Sequence, residues 1–486
     1  MERVVIRGGL VITAADEIEA DVLVAGEKVV ALAARGSAEA EGWTAGRVVD
    51  ARGRYVIPGG VDVHTHLGFG PGPEDFDAEG RLRGRPAFGG TFASDTFETG
   101  TRAAAWGGTT TVVDFAVQTR GRALREGLDA WHAKAAGQCA VDYGCHMILS
   151  DVHEGSLREM DLLVGEGVAS FKLFMAYPGV FHSDDGQILR VMQRAAGNGA
   201  TVMMHAENGI AIDVLAEQAV AAGRTGPRHH GEARHALLEA EATHRAIQLA
   251  RVAGDAPLYI VHVSAQEAVA ELAAARDAGL PVFGETCPQY LFLSADRLAE
   301  PGFAGAKYVC STPLRTAAHQ AALWRGLRTD DLQVVSTDHC PFCFKGQKEL
   351  GRGDFSRIPN GIPGVEHRMD LLHQAVVDGR LTRRRWIDLA CAAPARMFGL
   401  YGRKGTIAPG ADADIVVYDP AAQQTLSAAT HHMNVDYSAY EGTRVTGRVE
   451  TVLSRGRTVI EERTYTGRAG HGVFLPRGGC RSTGRS

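Results

Sequence analysis

The hydrophobic pattern changes twice along the chain. At the start, short β-branched runs alternate with Gly-rich breaks: VVIRGGLVIT, ADVLVAG and RVVDARGRYVIPGG. That texture predicts short strands and tight turns over residues 1–54. It returns near the other end, in ADADIVVYDP (411–420) and VETVLSRGRTVIEE (449–462). Neither piece is long enough to close two layers alone. The two ends are therefore expected to combine into one small β-sandwich domain, from residues 1–54 and 401–465. Residues 466–486 are rich in Gly and Arg and read as a C-terminal tail.

Between these ends, over residues 55–400, eight short apolar or β-branched runs recur: Val61–His66, Thr109–Phe115, Val141–Leu149, Val168–Met175, Thr201–Glu207, Pro257–Ser264, Pro281–Cys287 and Leu332–His339. Helix-like stretches rich in Ala, Leu, Glu and Arg separate most of them, at 95–106, 120–136, 184–196, 233–252 and 265–278. Two more follow near 365–377 and 381–398. Eightfold strand–helix alternation predicts an α/β fold, a (β/α)8 TIM barrel. Such barrels carry their chemistry at the C-terminal ends of the strands.

The unusual residues fall at those ends. The first run closes on His64-Thr65-His66, whose i and i+2 imidazoles share one face of an extended chain. The fourth, SFKLFMAY (170–177), places Lys172 inside an apolar stretch, where an unpaired ammonium is costly. The fifth ends at His205, the sixth carries His262, and the eighth ends STDHC with Asp338. Each has a plain structural alternative: a satisfied core histidine, a capping aspartate, a lysine that snorkels to water. Their concurrence on one rim, from five strands, points to a metal centre. Imidazoles plus a carboxylate suit zinc or a similar divalent ion. Six positions exceed one open tetrahedral site, so two metals sharing a bridge fit better. A neutral lysine amine that has taken up carbon dioxide is an anionic, two-oxygen bridge, which would account for Lys172.

Composition narrows the class without adding chemistry. The chain has 486 residues, 45% apolar and 22% charged, with a formal charge of −6. That is an ordinary globular balance with no electrostatic footprint for nucleic acid. No run of 18 apolar residues predicts a membrane span. The N-terminal stretch is too short and interrupted for a secretion signal, and the eight cysteines show no disulfide framework. A cytoplasmic setting with reduced thiols is the expectation. Cys340-Pro-Phe-Cys343 matches C-x-x-C, but no second pair accompanies it.

The constellation resembles the amidohydrolase superfamily, and within it the dihydropyrimidinase/hydantoinase group of cyclic amidases. The residues that carry the resemblance are GGVDVHTH (59–66), ETGTRAAAWGGTTTVVDF (98–115), SFKLFMAY, HAENG (205–209), VHVSA (261–265), STDHCPF (336–342), IPNGIPGVEHRM (358–369) and GADADIVVYDP (410–420). The resemblance implies a hydrolase that opens 5,6-dihydropyrimidines and 5-substituted hydantoins to N-carbamoyl amino acids. It implies that His64, His66 and Asp338 bind one metal, that His205 and His262 bind a second, and that carboxylated Lys172 (N6-carboxylysine) bridges them. The metals would be Zn2+, with Mn2+ as the alternative. Asp338 would also shuttle the proton, Tyr177 would stabilise the oxyanion, and backbone groups of Ser311 and Asn360 would hold the substrate's amide–imide edge. The partner is a small cyclic amide, and a homotetramer is the group's expectation. A sister amidase such as an allantoinase, or a non-catalytic scaffold relative, is the alternative. Against the scaffold, every ligand position is filled. One departure stands out: the stretch after His66, LGFGPGPEDFDAEGRLRGRPAFGGTFASD, is longer than the group's pattern and reads as a rim loop. A second, Pro178-Gly179, follows Tyr177.

Overall fold

The computed structural model describes residues 2–37, 42–43, 45–70 and 91–479. Most of the loop after His66 lies outside these residues, as does the end of the tail.

Strands β1 (Arg3–Ile12), β2 (Glu17–Ala25), β3 (Lys28–Ala34), β4 (Arg47–Asp50) and β5 (Tyr55–Pro58) come from the N-terminal side. β1 is their hub. It pairs antiparallel with β2, and its other edge takes β4 and β5 in succession as parallel partners. The chain then enters eight parallel strands: β6 (Gly60–Thr65), β7 (Thr109–Val117), β8 (Asp142–Ile148), β9 (Ser170–Phe174), β10 (Thr201–His205), β11 (Leu258–Ile260), β12 (Val282–Thr286) and β13 (Val334–Val335). They hydrogen-bond in chain order. A parallel bridge between Thr65 and His339, with His66 N–H donating to His339 O at 2.9 Å, joins the last strand to the first. The sheet is the expected barrel. Its strands are buried on both faces, which is why they read as continuous apolar runs rather than alternating ones.

Two strands are shorter than the pattern predicts. β11 stops at Ile260 and β13 at Val335, where Pro257–Ser264 and Leu332–His339 were expected to run on. The chain leaves extended geometry at His262 (φ 42°) and Asp338 (φ 50°). Left-handed backbone at a residue with a Cβ costs energy and is held by its surroundings; such positions cluster at functional sites.

The expected helices form between strands. Phe97–Trp106 and Asp185–Asn198 open with reciprocal capping boxes, Thr96 with Thr99 and Asp184 with Gln187. Glu154–Gly165, Gly209–Ala221 and Ala317–Thr329 supply further helices that the pattern did not single out. In Gly209–Ala221, GIAIDVLAEQAVA, apolar residues occur on every face, so no stripe marks it. The stretch expected near 381–398 is one helix interrupted by a π turn at Asp388–Ala392.

Strands β14 (Ile415–Thr425), β15 (Arg444–Ser454), β16 (Arg457–Glu461) and β17 (Thr464–Tyr465) close the second domain. β14 pairs antiparallel with β5, so both chain ends share one nine-stranded sheet. Its inner core mixes Ile6, Val22 and Val56 with Ile415, Val417 and Leu453. The segment after β17 is fastened to the barrel's N-terminal end. Leu475 N–H donates to Tyr143 O at 2.8 Å, and buried Arg477 donates from its main chain to Gly167 O and from its guanidinium to Ser170 Oγ. Among the described residues no helix is long and apolar enough to cross a membrane, and the seven described cysteines are all free thiols.

Candidate metal centre

The C-terminal ends of β6, β9, β10, β11 and β13 deliver the six residues singled out above to one rim. One cavity is lined by His66, Lys172, His205, His262 and Asp338, together with Tyr177, Ser311 and Asn360. His64 lies just beneath. Its Nε2 and that of His66 each stand 3.2 Å from Asp338 Oδ1. One donor atom from each of these three residues falls within 4.8 Å of the others, a spacing suited to a single cation. The His205 and His262 rings meet edge to face at 4.6 Å between centroids, and the His64 ring lies 5.5 Å from that of His262. Lys172 Nζ sits 3.3 Å from His64 Nε2, among these imidazoles.

The electrostatics favour ligation. Burial pushes the His64, His205 and His262 imidazoles down, so they are neutral near pH 7 and present lone pairs. His66 Nδ1 and His262 Nδ1 are buried without a hydrogen-bond partner. Burial also pushes the Lys172 ammonium down, to about 8, against the opposing pull of Asp338 and Glu285. Among the described residues no carboxylate lies within ion-pair distance of it. The donor set and its protonation fit a divalent cation.

Several residues that orient these groups carried no distinct sequence signal. Glu285, at the end of β12, accepts from His64 Nδ1, Ser336 Oγ, Tyr259 Oη (2.9 Å) and His262 N–H (3.2 Å). Four donors converge on a carboxylate that burial pushes upward. Glu207 accepts from His205 Nε2 at 2.8 Å and from Arg234 at 2.6 Å. Burial raises its pKa, but the Arg234 and His205 partners outweigh that and hold it at about 2. Asp114 accepts from Thr65 Oγ1, Leu67 N–H and Trp131 Nε1, fixing the chain on either side of His66. His339 Nε2 pairs with Asp95 at 3.0 Å beside Asp338. For Glu207 alone, a carboxylate two residues from a candidate ligand, as in HAE, was the available cue: a ligating imidazole needs its second nitrogen held.

Tyr177 follows β9 with φ 60°, turned back over the cavity. Burial raises its phenol's pKa, so it remains an O–H donor at neutral pH, and the Ser311 and Asn360 side chains lie beside that hydroxyl. Phe69, where the long loop begins, packs on His66 at 4.9 Å and on Phe181 at 6.4 Å between ring centroids.

The amidohydrolase family model matches residues 55–459. A D-hydantoinase of Streptomyces coelicolor is 74% identical over 478 residues, 98% of either chain. One from Geobacillus stearothermophilus is 45% identical, covering 97% of this chain and 96% of its own. Among solved structures, the dihydropyrimidinase of Brevibacillus agri superimposes with a TM-score of 0.93 at 46% identity, over 99% of this chain and 100% of that one. The L-hydantoinase of Arthrobacter aurescens does so at 0.85 and 29% identity, over 98% and 100%. With the barrel, its rim of histidines and these whole-length similarities together, the chain belongs to the amidohydrolase family, in its dihydropyrimidinase/hydantoinase branch.

Proposed function

We propose that this chain is a metal-dependent cyclic amidase that opens D-5-substituted hydantoins and 5,6-dihydropyrimidines to N-carbamoyl amino acids. The observation that carries the reading is the rim cavity, which gathers a buried lysine with imidazoles, Asp338 and the Tyr177 hydroxyl. The relatives named above are hydantoinases and a dihydropyrimidinase, which favours these rings over allantoin.

In this reading His64, His66 and Asp338 would hold one divalent ion, and His205 and His262 would hold a second. Lys172 would serve both as a carbamate, formed when its neutral amine bonds to the carbon of CO2 and releases one proton. When bound, zinc or manganese would supply a hydroxide at neutral pH and a Lewis acid for the ring carbonyl. The protein does the rest. Main-chain groups of Ser311 and Asn360 grip the amide–imide edge of the ring. Tyr177 donates to the carbonyl oxygen as negative charge develops there, a contact typically worth roughly 3 kcal/mol. Asp338 accepts the nucleophile's proton and returns it to the ring nitrogen as the C–N bond breaks. Burial suits Tyr177 to this part, since it keeps the phenol protonated. The same reading includes a homotetramer in the cytoplasm, which sedimentation of the purified protein and fractionation of its host would test.

The deciding experiment is a turnover panel of D- and L-5-substituted hydantoins, dihydrouracil and allantoin, with metal analysis of the same sample. Faster ring opening of the D-hydantoins, stoichiometric metal, and a Lys172 peptide heavier by one CO2 are expected under native conditions. Turnover of allantoin alone, or full activity after the metal is stripped, would refute the reading.

A further inference from the structure

Lys348 is fully buried, and among the described residues no carboxylate pairs with it. Its Nζ donates to three main-chain carbonyls instead: Val309 O at 2.9 Å, Pro359 O at 2.7 Å and Gly361 O at 2.7 Å. An ammonium has three N–H groups, and all three are used. Burial pushes this amine down to about 7, yet only the protonated form satisfies three carbonyl acceptors. The hydrogen bonds therefore favour the charged state.

The three carbonyls belong to the two segments that carry Ser311 and Asn360. Val309 O also accepts from Gly361 N–H at 3.0 Å, which joins the segments side by side. The consequences for Asn360 follow from peptide planarity. In a trans peptide the C=O and N–H point in opposite directions. Pro359 O points at Lys348, so Asn360 N–H points away from it. Gly361 N–H points at Val309 O, so Asn360 C=O also points away. Asn360 lines the cavity, and neither of these main-chain groups takes a partner among the described residues. A donor and an acceptor thus stand side by side, the complement of the N–H and C=O of a ring amide. Cys310 O is held in the same manner by His230 Nε2 at 2.8 Å, which turns Ser311 N–H the other way. At Gly361 a Cβ would meet Cys340 O at 2.1 Å, so the platform has no room to shift toward that side.

We propose that Lys348 is a positioning residue: its ammonium locks the segments that present the main-chain groups of Ser311 and Asn360 to the ring substrate. The inference rests on the cyclic-amidase reading above. It differs from a packing role in what it predicts. Losing the ammonium frees two peptide units to rotate, which weakens the grip on the ring and leaves the metal ligands in place.

The test compares parent holoenzyme with Lys348→Met, using a hydantoin as substrate and acetohydroxamate as an inhibitor that addresses the metals. The expected result is a rise in KM on the order of 10- to 100-fold, the worth of one or two hydrogen bonds. Metal content and the hydroxamate inhibition constant should stay at parental values. If Lys348→Met does not fold, Lys348→Gln, which keeps two donors, is expected to show a smaller rise in KM with the same unchanged controls. An unchanged KM in a folded variant, with only a lower melting temperature, overturns the positioning role alone. A parent that opens none of the rings overturns the amidase reading, and this inference with it.

Discussion

Lys172 and Lys404 are equally hidden, each about 1% exposed, at opposite ends of the barrel. At the N-terminal end, Lys404 Nζ stands 2.7 Å from Asp142, 2.8 Å from Asp414 and 3.0 Å from Asp412. Burial alone would depress that lysine, but the three carboxylates outweigh it and raise its pKa. The cluster bolts the barrel to the terminal sheet, because Asp142 begins β8 while Asp412 and Asp414 lead into β14. At the C-terminal end, Lys172 lies among histidines, and burial pushes its pKa down to about 8. The difference separates a charge buried for structure from one buried for chemistry. The first is given its counterions by the chain. The second has no carboxylate in ion-pair distance among the described residues, and in the proposed reading it would be completed from outside.

The sharpest way to break this comparison is to remove each lysine in turn. Lys172→Ala is expected to lose several kcal/mol of transition-state stabilisation, roughly 10^3-fold or more in kcat, together with bound metal. Short carboxylic acids should restore part of it by supplying the missing bridge. Steady-state kinetics and metal analysis on the same preparation check this. Retention of both metal and activity would mean that Lys172 is an ordinary buried cation after all.

Smaller effects should follow the geometry outward from the cavity. Tyr177→Phe removes one donor to the developing oxyanion and is expected to lower kcat about 10^2-fold, with metal content unchanged. Glu285→Gln keeps the shape of the group behind His64 and weakens its hold on Nδ1. A loss of roughly 10- to 100-fold in metal affinity or activity is expected, the usual size for a residue that orients a ligand. Equal kcat in parent and Glu285→Gln would show that His64 is fixed by packing alone.

The contrast also explains what was legible in the sequence. The barrel was legible because its strands are buried on both faces and so leave eight apolar runs. The residues that gather at the rim were legible because His, Lys and Asp are out of place at the ends of such runs. Glu285, Glu207 and Asp114 were not, since a lone carboxylate near a strand end has many uses and its histidine partner can lie far away in the chain, 221 residues in the case of His64 and Glu285. Lys348 was hidden for the same reason: FKGQKELG reads as a solvated charged loop, and only the fold brings three carbonyls around its amine. The early ends of β11 and β13 escaped because left-handed backbone at His262 and Asp338 is imposed by their surroundings, not by local propensity. Arg477 was read as part of a loose Gly- and Arg-rich tail; its place beneath the barrel depends on Cys145 and Ser170, which are distant in sequence.

The smallest expected effect on turnover is that of Lys404→Met, whose kcat should match the parent because the cluster lies at the far end of the strands. Its effect on stability is another matter. The variant leaves Asp142, Asp412 and Asp414 without their shared cation, and breaking a buried pair in this way typically costs roughly 3–5 kcal/mol. The pH dependence fixes the cause. The folded-state pKa of Lys404 lies above its unfolded value, about 10.4. The contribution is therefore complete below pH ~10.4 and is lost as pH rises through the folded value, where the unfolded chain has already released its proton. The gap in melting temperature between parent and variant should be constant from pH 7 to about 10 and narrow above that. Other alkaline titrations occur in both proteins and cancel in the difference. A gap that stays constant through pH 11 would mean that Lys404 stabilises by filling space, and the distinction drawn here between the two lysines would lose its electrostatic basis.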